Sequence, residues 1–300
     1  MLTRFKNEIP ECTAPYTAPG LKSAQALPEF YQGAVADYVK VDGQWVDGMA
    51  QDNMLTVLQN LQDAYTAGLI DQEAITNTTS ACRDEWYAGT VGCFPYWGGL
   101  WGETLTVRLK QNVPDAEVVA LPPIEGATYL YSAPSVQVIS SKLSNEQVAS
   151  VYKYFIEYMH DGGEGQVLFQ SGVEGVHWQQ SGDNIDPLPT ISKPAEAFRK
   201  AWITPWLALT PMTATDKNVE VSQEVTDSLA VVSANAKNIS VFPVSEQRTM
   251  ITSDLTTARE NIISRVAMGQ LTPEEGMAEY KALAETLNVA QALEEMNANA

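Results

Sequence analysis

The chain has 300 residues, and 18 Lys and Arg against 37 Asp and Glu give a formal charge of −19 with both histidines neutral. Its 45% hydrophobic and 18% charged content is that of a folded globular protein, long enough for one large domain or two medium ones. That charge excludes nucleic acid as a partner, since phosphate binding needs clustered Lys and Arg, and makes anionic membranes and ligands poor partners. The acids are dispersed: residues 51–100 hold six acids and one base, with no acidic block. Cys12, Cys82 and Cys93 are too few for a disulfide framework, although one bridge between Cys82 and Cys93 stays open. With only two histidines, the expectation is no metal and no covalent cofactor. No apolar run reaches the roughly 18–20 residues of a membrane span, and the N-terminus lacks the apolar stretch of a signal peptide.

Pro10, Pro15, Pro19 and Pro28 make residues 10–30 read as a loop or linker. Asp37–Val41 and Gln44–Val46, separated by Asp42-Gly43, read as a β-hairpin. Met54, Leu58, Leu61 and Tyr65 follow at helical spacing, with Gly68 as the stop. A second short helix is expected to run to Trp86-Tyr87 and break at Gly89, and Val91–Trp97 reads as a buried strand entering a loop. Val118–Leu121 and Ser135–Ser140 are further strand candidates. Ser144 with Gln147 forms a capping box for a strong helix with Val148, Val151, Tyr152, Phe155, Ile156 and Met159 on one face, stopped by Gly162-Gly163. Ser171–Trp178 is a Gly-punctuated loop. From about residue 190 the chain reads as mostly helical, with segments near 219–236 and over Ser253–Met268, and a last helix introduced by Thr272-Pro273-Glu274-Glu275. Helices alternating with short strands, followed by a helical C-terminal third, define an α/β class.

Enzyme motifs are absent: no Gly-rich phosphate loop, no His-Glu-x-x-His pair and no nucleophile elbow occur. His160 sits at a helix C-terminus, where the dipole accounts for it. Paired carboxylates for glycoside hydrolysis are a weak signal in so acid-rich a chain. Aromatic residues beside glycines are the more unusual feature. Tyr96-Trp97-Gly98-Gly99-Leu100-Trp101-Gly102 follows a strand directly, and Tyr129-Leu130-Tyr131 and His177-Trp178 form two further clusters in loops. Flat aromatic faces stack on sugar rings, and glycine lets a ligand approach the backbone. Core filling by Trp97 and Trp101 is the bland alternative, and packing is the reading for Trp45, Trp86, Trp202 and Trp206.

Several segments, in order, resemble the extracellular solute-binding proteins of ABC importers, of the maltose-binding type, in the branch of larger carbohydrate-type lipoproteins common in Firmicutes. Asp42-Gly43-Gln44-Trp45 and Ala67-Gly68-Leu69-Ile70-Asp71-Gln72-Glu73 resemble a family stretch, and Tyr87–Phe94 resembles a family strand after which a ligand-facing aromatic comes, where Trp97 falls. Ala120–Gly126, Gly172–Trp178, Met250–Leu255, Ile262–Gly269 and Leu287-Asn288-Val289 are similar to later family segments.

The resemblance implies a periplasmic-binding-protein-like fold of type II, with a nearly complete second lobe over residues 31–128 and 179–300. Residues 1–30 would be a Pro-rich leader, and residues 129–178 would cross into a first lobe that is otherwise largely missing. It implies no enzyme but a substrate-binding component that holds a carbohydrate, an oligosaccharide, in an interlobe cleft and works with permease subunits. The expected ligand-binding residues are Trp97, Trp101, Tyr129, Tyr131, Glu174, His177 and Trp178. Trp97 would stack, and Glu174 and His177 would hydrogen-bond hydroxyls. The full-length form would be extracellular and lipid-anchored, and Cys12 is not the lipid-attachment residue because no apolar segment precedes it. Without its first lobe, the helix over residues 145–161 would expose its apolar stripe or self-associate. A secreted two-carboxylate hydrolase and a folded, non-transporting remnant are the alternatives.

Overall fold

A computed structural model describes residues 1–98, 100–122, 129–131, 138–182, 184–188, 222–238 and 241–300. The first of two units comprises Met1–Gly98, Leu105–Tyr131 and Glu224–Ala300, and the second Gly99–Thr104 and Ser132–Gln223.

The first unit begins with α1 (Leu2–Glu8), β1 (Ala14–Tyr16) and α2 (Pro28–Tyr31). Here the structure corrects the linker reading of residues 10–30. Tyr16, Leu21, Leu27 and Tyr31 are buried in the core, and β1 pairs in parallel with β4 (Val91–Cys93), Ala14 opposite Val91 and Tyr16 opposite Cys93. The prolines shape a buried, irregular path instead of keeping it in solvent. The hairpin forms as expected from β2 (Tyr38–Val41) and β3 (Gln44–Asp47). Asp42 and Gly43 both take positive φ, 48° and 82°, which a two-residue turn matching strand twist requires.

Helix α3 (Asn53–Thr66) buries Met54, Val57, Leu58, Leu61 and Ala64. It ends in a Schellman motif, with Gly68 at φ 61° and the Leu69 N–H bonded to the Ala64 carbonyl at 2.8 Å. Helix α4 (Thr79–Ala88) ends in the same way at Gly89. Helix α5 (Leu100–Asn112) spans the boundary between the units and was not foreseen, because its glycine-rich start reads as a loop. Val118–Leu121 is irregular and Val119 is exposed, so the expected strand is absent. The neighbouring Pro114 and Pro122 lack N–H donors for a ladder. Strand β5 (Tyr129–Tyr131) pairs in parallel with a later strand over residues 236–238. Of the strand expected over Ser135–Ser140, residues 135–137 lie outside the described residues, and 138–140 are irregular.

In the second unit the Ser144–Gln147 capping box is present, and α6 (Asn145–Val151) runs into a π-helical stretch over Tyr152–Glu157. Neither segment buries a residue, and Tyr152, Tyr154 and Phe155 are 56%, 70% and 48% exposed. Met159, at the end of the expected apolar stripe, is buried. Helix α7 (Glu164–Ser171) follows, then an antiparallel hairpin, unforeseen in the sequence, of β6 (Trp178–Ser181) and β7 (Asn184–Pro187). Residues 189–221, expected to be helical in part and carrying Trp202 and Trp206, lie outside the described residues.

The chain re-enters the first unit through α8 (Gln223–Asn235) and β8 (Ala236–Asn238) and closes with α9 (Glu246–Ala267), α10 (Pro273–Thr286) and α11 (Val289–Ala298). The capping box of Thr272 and Glu275 with Pro273 at the first helical position is as the sequence implied. The unit boundaries differ from the expected 1–30, 31–128, 129–178 and 179–300 division. Residues 1–30 and 129–131 belong to the first unit and 179–223 to the second.

The core of the first unit packs α3 against α9 and α10, with α11 on α9, α10 and β3, and the hairpin and N-terminal segment join it. Arg259 of α9, 3% exposed, is the polar centre of this contact. Its guanidinium donates to Asp47 Oδ1 and Asp37 Oδ1, each at 2.8 Å, and to the Tyr280 hydroxyl at 3.0 Å. Tyr280 in turn donates to Asp47 Oδ2 at 2.6 Å. Burial raises the Tyr280 phenol well above its ordinary value against the pull of Arg259, and pushes Tyr38, whose ring faces the guanidinium at 5.1 Å, up to about 12. Both phenols are therefore neutral, and Asp47 is the buried anion that Arg259 neutralises.

Replacing Arg259 with Ala leaves Asp47 buried without its cation, and urea denaturation is expected to show a loss of about 3–5 kcal/mol. Asp37 is 52% exposed at its side chain, so Asp37→Ala should cost about 1 kcal/mol or less in the same assay. Similar losses for the two variants would contradict this.

Candidate functional site

The parallel pair β1–β4 places its C-terminal ends together. Thr17 follows β1 and donates its backbone N–H to the Cys93 carbonyl at 3.1 Å, and Phe94–Gly98 continues from β4 as irregular chain. Strand ends of this kind are where open α/β folds bind ligands. Phe94 stacks on Tyr96 at 5.0 Å with ring planes 28° apart, and Trp86 of α4 lies 6.2 Å from Phe94. The Trp86 indole N–H is fixed by the Leu105 carbonyl at 3.2 Å. Trp97, the residue after Tyr96 in the same segment, is 55% exposed. Its exposure removes the core-filling alternative for this residue.

Tyr129 of β5 is half-buried, and its phenol is near enough to Tyr16 to oppose that group's ionisation. Tyr16 donates to Glu29, with the Ala26 carbonyl 3.2 Å from the same hydroxyl, and burial raises its phenol well above the ordinary value. Trp97 and Tyr129 thus share the first unit with Tyr131, whose backbone lies in β5 and whose side chain falls outside the described residues.

Trp101, Glu174, His177 and Trp178 belong to the second unit. Trp101 is half-buried in the first turn of α5. The other three share one loop. Gly172 has φ 83°, and a Cβ there would meet His177 Nδ1 at 2.5 Å, so glycine alone fits. His177 Nδ1 accepts the Val173 N–H at 2.9 Å, which assigns the ring hydrogen of the neutral imidazole to Nε2. Trp178 is 7% exposed, and its indole N–H donates to the Gly172 carbonyl at 3.0 Å. Its position is that of a scaffold residue, with no exposed stacking face. Glu174 is exposed on the same loop, beside the Gly175 N–H bond to the Trp178 carbonyl at 2.7 Å.

Sequence reasoning missed the residues under the Trp97 loop: Thr17, Asp71, Asn77 and Glu85 meet there through side-chain hydrogen bonds. The Gly68–Asp71 segment carried a signal, since polar Asp71 follows an apolar pair, but nothing in spacing joins it to residue 17. All three cysteines are free thiols, and burial pushes Cys93 up to about 11. Among the described residues no group of three or more His, Cys, Asp or Glu is placed to hold a metal ion. Nor is any described helix long and apolar enough to cross a membrane.

No family model and no curated protein matches the chain. Among solved structures it is similar to the alginate-binding protein AlgQ2 without calcium ion, at 16% identity and a TM-score of 0.68, over 99% of this chain and 66% of that one. It is also similar to an HMO-binding, ABC-transporter-associated solute-binding protein from Bifidobacterium longum infantis, at 14% identity and a TM-score of 0.63, over 99% of this chain and 67% of that one. The fold is therefore mixed α/β of the periplasmic-binding-protein-like type, as in these two structures. These neighbours are binding proteins, and the chain spans about two thirds of their length.

Exposure separates the two tryptophans that the sequence grouped together. Trp97→Ala is expected to change unfolding free energy by about 1 kcal/mol or less, whereas Trp178→Ala should lose about 3–5 kcal/mol as a buried large-to-small change. Denaturant titration of both variants checks this, and equal losses would contradict the assignment.

Proposed function

We propose that the chain is part of a substrate-binding component of an ABC importer, that it is not an enzyme, and that its ligand is a carbohydrate. The observation that carries the reading is Trp97. An indole more than half exposed, in the segment that leaves the C-terminal end of a parallel strand and next in sequence to the Trp86–Phe94–Tyr96 rings, is suited to stack on a sugar ring. The names of the two structural neighbours, one alginate-binding and one HMO-binding, support the same ligand class.

In this reading Tyr129 and Tyr131 line the same unit as Trp97. In the second unit Trp101 of α5, Glu174 and the Nε2 edge of His177 are the candidate contacts, and Trp178 holds the loop that carries the last two. The first unit corresponds to the second lobe of the importer proteins and the second unit to part of the first lobe. The remaining third of the neighbours' length would supply the rest of that lobe. Permease subunits are the protein partners, and the site of action is the cell exterior, with a lipid anchor in the full-length form. A Firmicute lipoprotein origin fits the segments that resemble that branch.

Calorimetric titration of the complete gene product against a panel of oligosaccharides tests the proposal. Binding without glycoside turnover is expected, and Trp97→Ala should weaken it by at least ~1 kcal/mol, about fivefold. Turnover, or affinity unchanged by Trp97→Ala, would overturn the site.

Val151, Tyr152 and Phe155, all on the expected stripe, give the second unit an exposed apolar face, and apolar faces of this kind drive association. Isolated 300-residue chain is expected to self-associate in light scattering, and Tyr152→Ser with Phe155→Ser should return it to monomer. A wild-type chain that stays monomeric at high concentration would count against an uncovered face.

A further inference from the structure

Beneath the Trp97 loop, one hydroxyl sits against two carboxyl groups. Thr17 Oγ1 lies 2.8 Å from Glu85 Oε2 on α4 and 3.2 Å from Asp71 Oδ2 in the loop after α3. Thr17 is fully buried and Asp71 nearly so. A threonine hydroxyl has one hydrogen, so it donates to one acid only and presents a lone pair to the other. Two ionised carboxylates would leave one oxygen facing that lone pair, with two like charges across a single atom.

The other donors decide which acid carries the proton. Asp71 Oδ2 accepts the Asn77 side-chain amide at 2.5 Å and Asp71 Oδ1 the Glu73 N–H at 2.9 Å, a donor set that suits a carboxylate; the Asn77 amide also faces Glu85, so the Glu73 N–H is what separates the two acids. Neither acid has a cationic partner among the described residues. Arg83, on the same helix as Glu85, donates to the Thr79 carbonyl and the Ser80 hydroxyl in the first turn. The remaining titratable groups facing the pair are the Cys82 thiol, which approaches the same hydroxyl, and the Tyr65 phenol, which donates to the Gln72 carbonyl at 2.6 Å. Both are neutral below their raised values and supply no cation.

We propose that Glu85, Thr17 and Asp71 form a one-proton latch: protonated Glu85 donates to Thr17 Oγ1, Thr17 donates to Asp71 Oδ2, and loss of the Glu85 proton loosens the Ile70–Asn77 loop from α4. Chained hydrogen bonds of this kind reinforce one another. Burial raises the Glu85 carboxyl above its ordinary range and the Asp71 charge adds to this, against the Thr17 and Asn77 hydrogen bonds. A group whose folded-state value is raised contributes stability that is complete below its unfolded value and is lost as pH rises through the folded one. Acid therefore closes the latch and base opens it. Trp86, the next residue of α4 after Glu85, lies against Phe94, which stacks on Tyr96, so the same proton bears on the Trp97 loop. Neither the latch nor its test involves a ligand, so it stands or falls apart from the carbohydrate reading.

The test follows melting temperature against pH in the wild type and in Glu85→Gln, whose side-chain amide donates to Thr17 at every pH. The general effect of so many acids is shared by both proteins and cancels in the difference. From about pH 4 to pH 7 the wild type should lose about 2–4 °C relative to Glu85→Gln. Thr17→Ser should keep this pH step and Thr17→Val should lose it. Infrared difference spectra should show a protonated carboxyl band that is absent from Glu85→Gln. Parallel melting curves for wild type and Glu85→Gln, a step that survives in Thr17→Val, or a carboxyl band unchanged in Glu85→Gln would each overturn the latch.

Discussion

The contact between Arg259 and Asp47 is the constraint around which the first unit is organised. It joins a strand end near residue 47 to a helix more than 200 positions later, with 3% and 6% side-chain exposure at the two partners. A buried ion pair of this kind stabilises little by itself, because desolvation offsets the attraction. Its role is to penalise every arrangement in which α9 and the hairpin are out of register, since any slip leaves a bare charge inside. Tyr280 closes the network by accepting from Arg259 and donating to Asp47, so α10 is held to the same register. Asn297 does the equivalent for α11: its side-chain amide bonds both the N–H and the carbonyl of Trp45, covering the edge of β3 as another strand would. Glu295 on the same helix accepts from Ser245 and from the Gln247 N–H, placing negative charge at the N-terminus of α9.

The functional surface of this unit follows from that frame. The Phe94–Gly98 loop has little regular structure of its own, so rigid neighbours set its position. β1 anchors its start through the Thr17–Cys93 bond, and α4 anchors its rings through Trp86. The loop of the second unit is built differently, around one glycine, one imidazole and one buried indole that hold each other. A buried indole, Trp178, takes the structural role in the second loop, and a half-buried one, Trp86, in the first. Trp97 and Glu174 are the exposed neighbours.

Much of this was legible in the residues, and what was not has identifiable causes. The hairpin, α3, α4, α10 and the capping boxes are local: a turn dipeptide, a helical stripe or a cap suffices to specify each. The solute-binding likeness was legible too, through the order of many short segments, none of them specific alone. The buried path of residues 10–30 was misread because four prolines argue against regular structure but say nothing about burial. Tyr16 and Leu27 there are buried by partners far away in the chain. Helix α5 was hidden by glycines at its start, although Leu105 and Leu109 lie one helical turn apart on a buried face. Trp178 looked like Trp97 because both lie close to glycines in the sequence, and only burial distinguishes them. The Thr17, Asp71 and Glu85 cluster could not be read at all, since its members meet only through long-range contacts: the parallel pairing of β1 and β4 and the Asp71 N–H bond to the Tyr16 carbonyl.

The order of the chain carries a consequence for how the protein is made. Helix α3 buries Met54, Leu58 and Leu61 against α9, whose Leu255 and Ile262 are synthesised about two hundred residues later. At roughly 5–20 residues per second, the apolar face of α3 waits on the order of 10–40 s for its partner to emerge. The whole second unit is translated within that interval, since residues 132–223 fall between the two halves of the first. A nascent chain therefore holds an unfinished core open while another unit passes through the ribosome. That is a window in which chaperones, or neighbouring nascent chains, compete with α9 for the same surface.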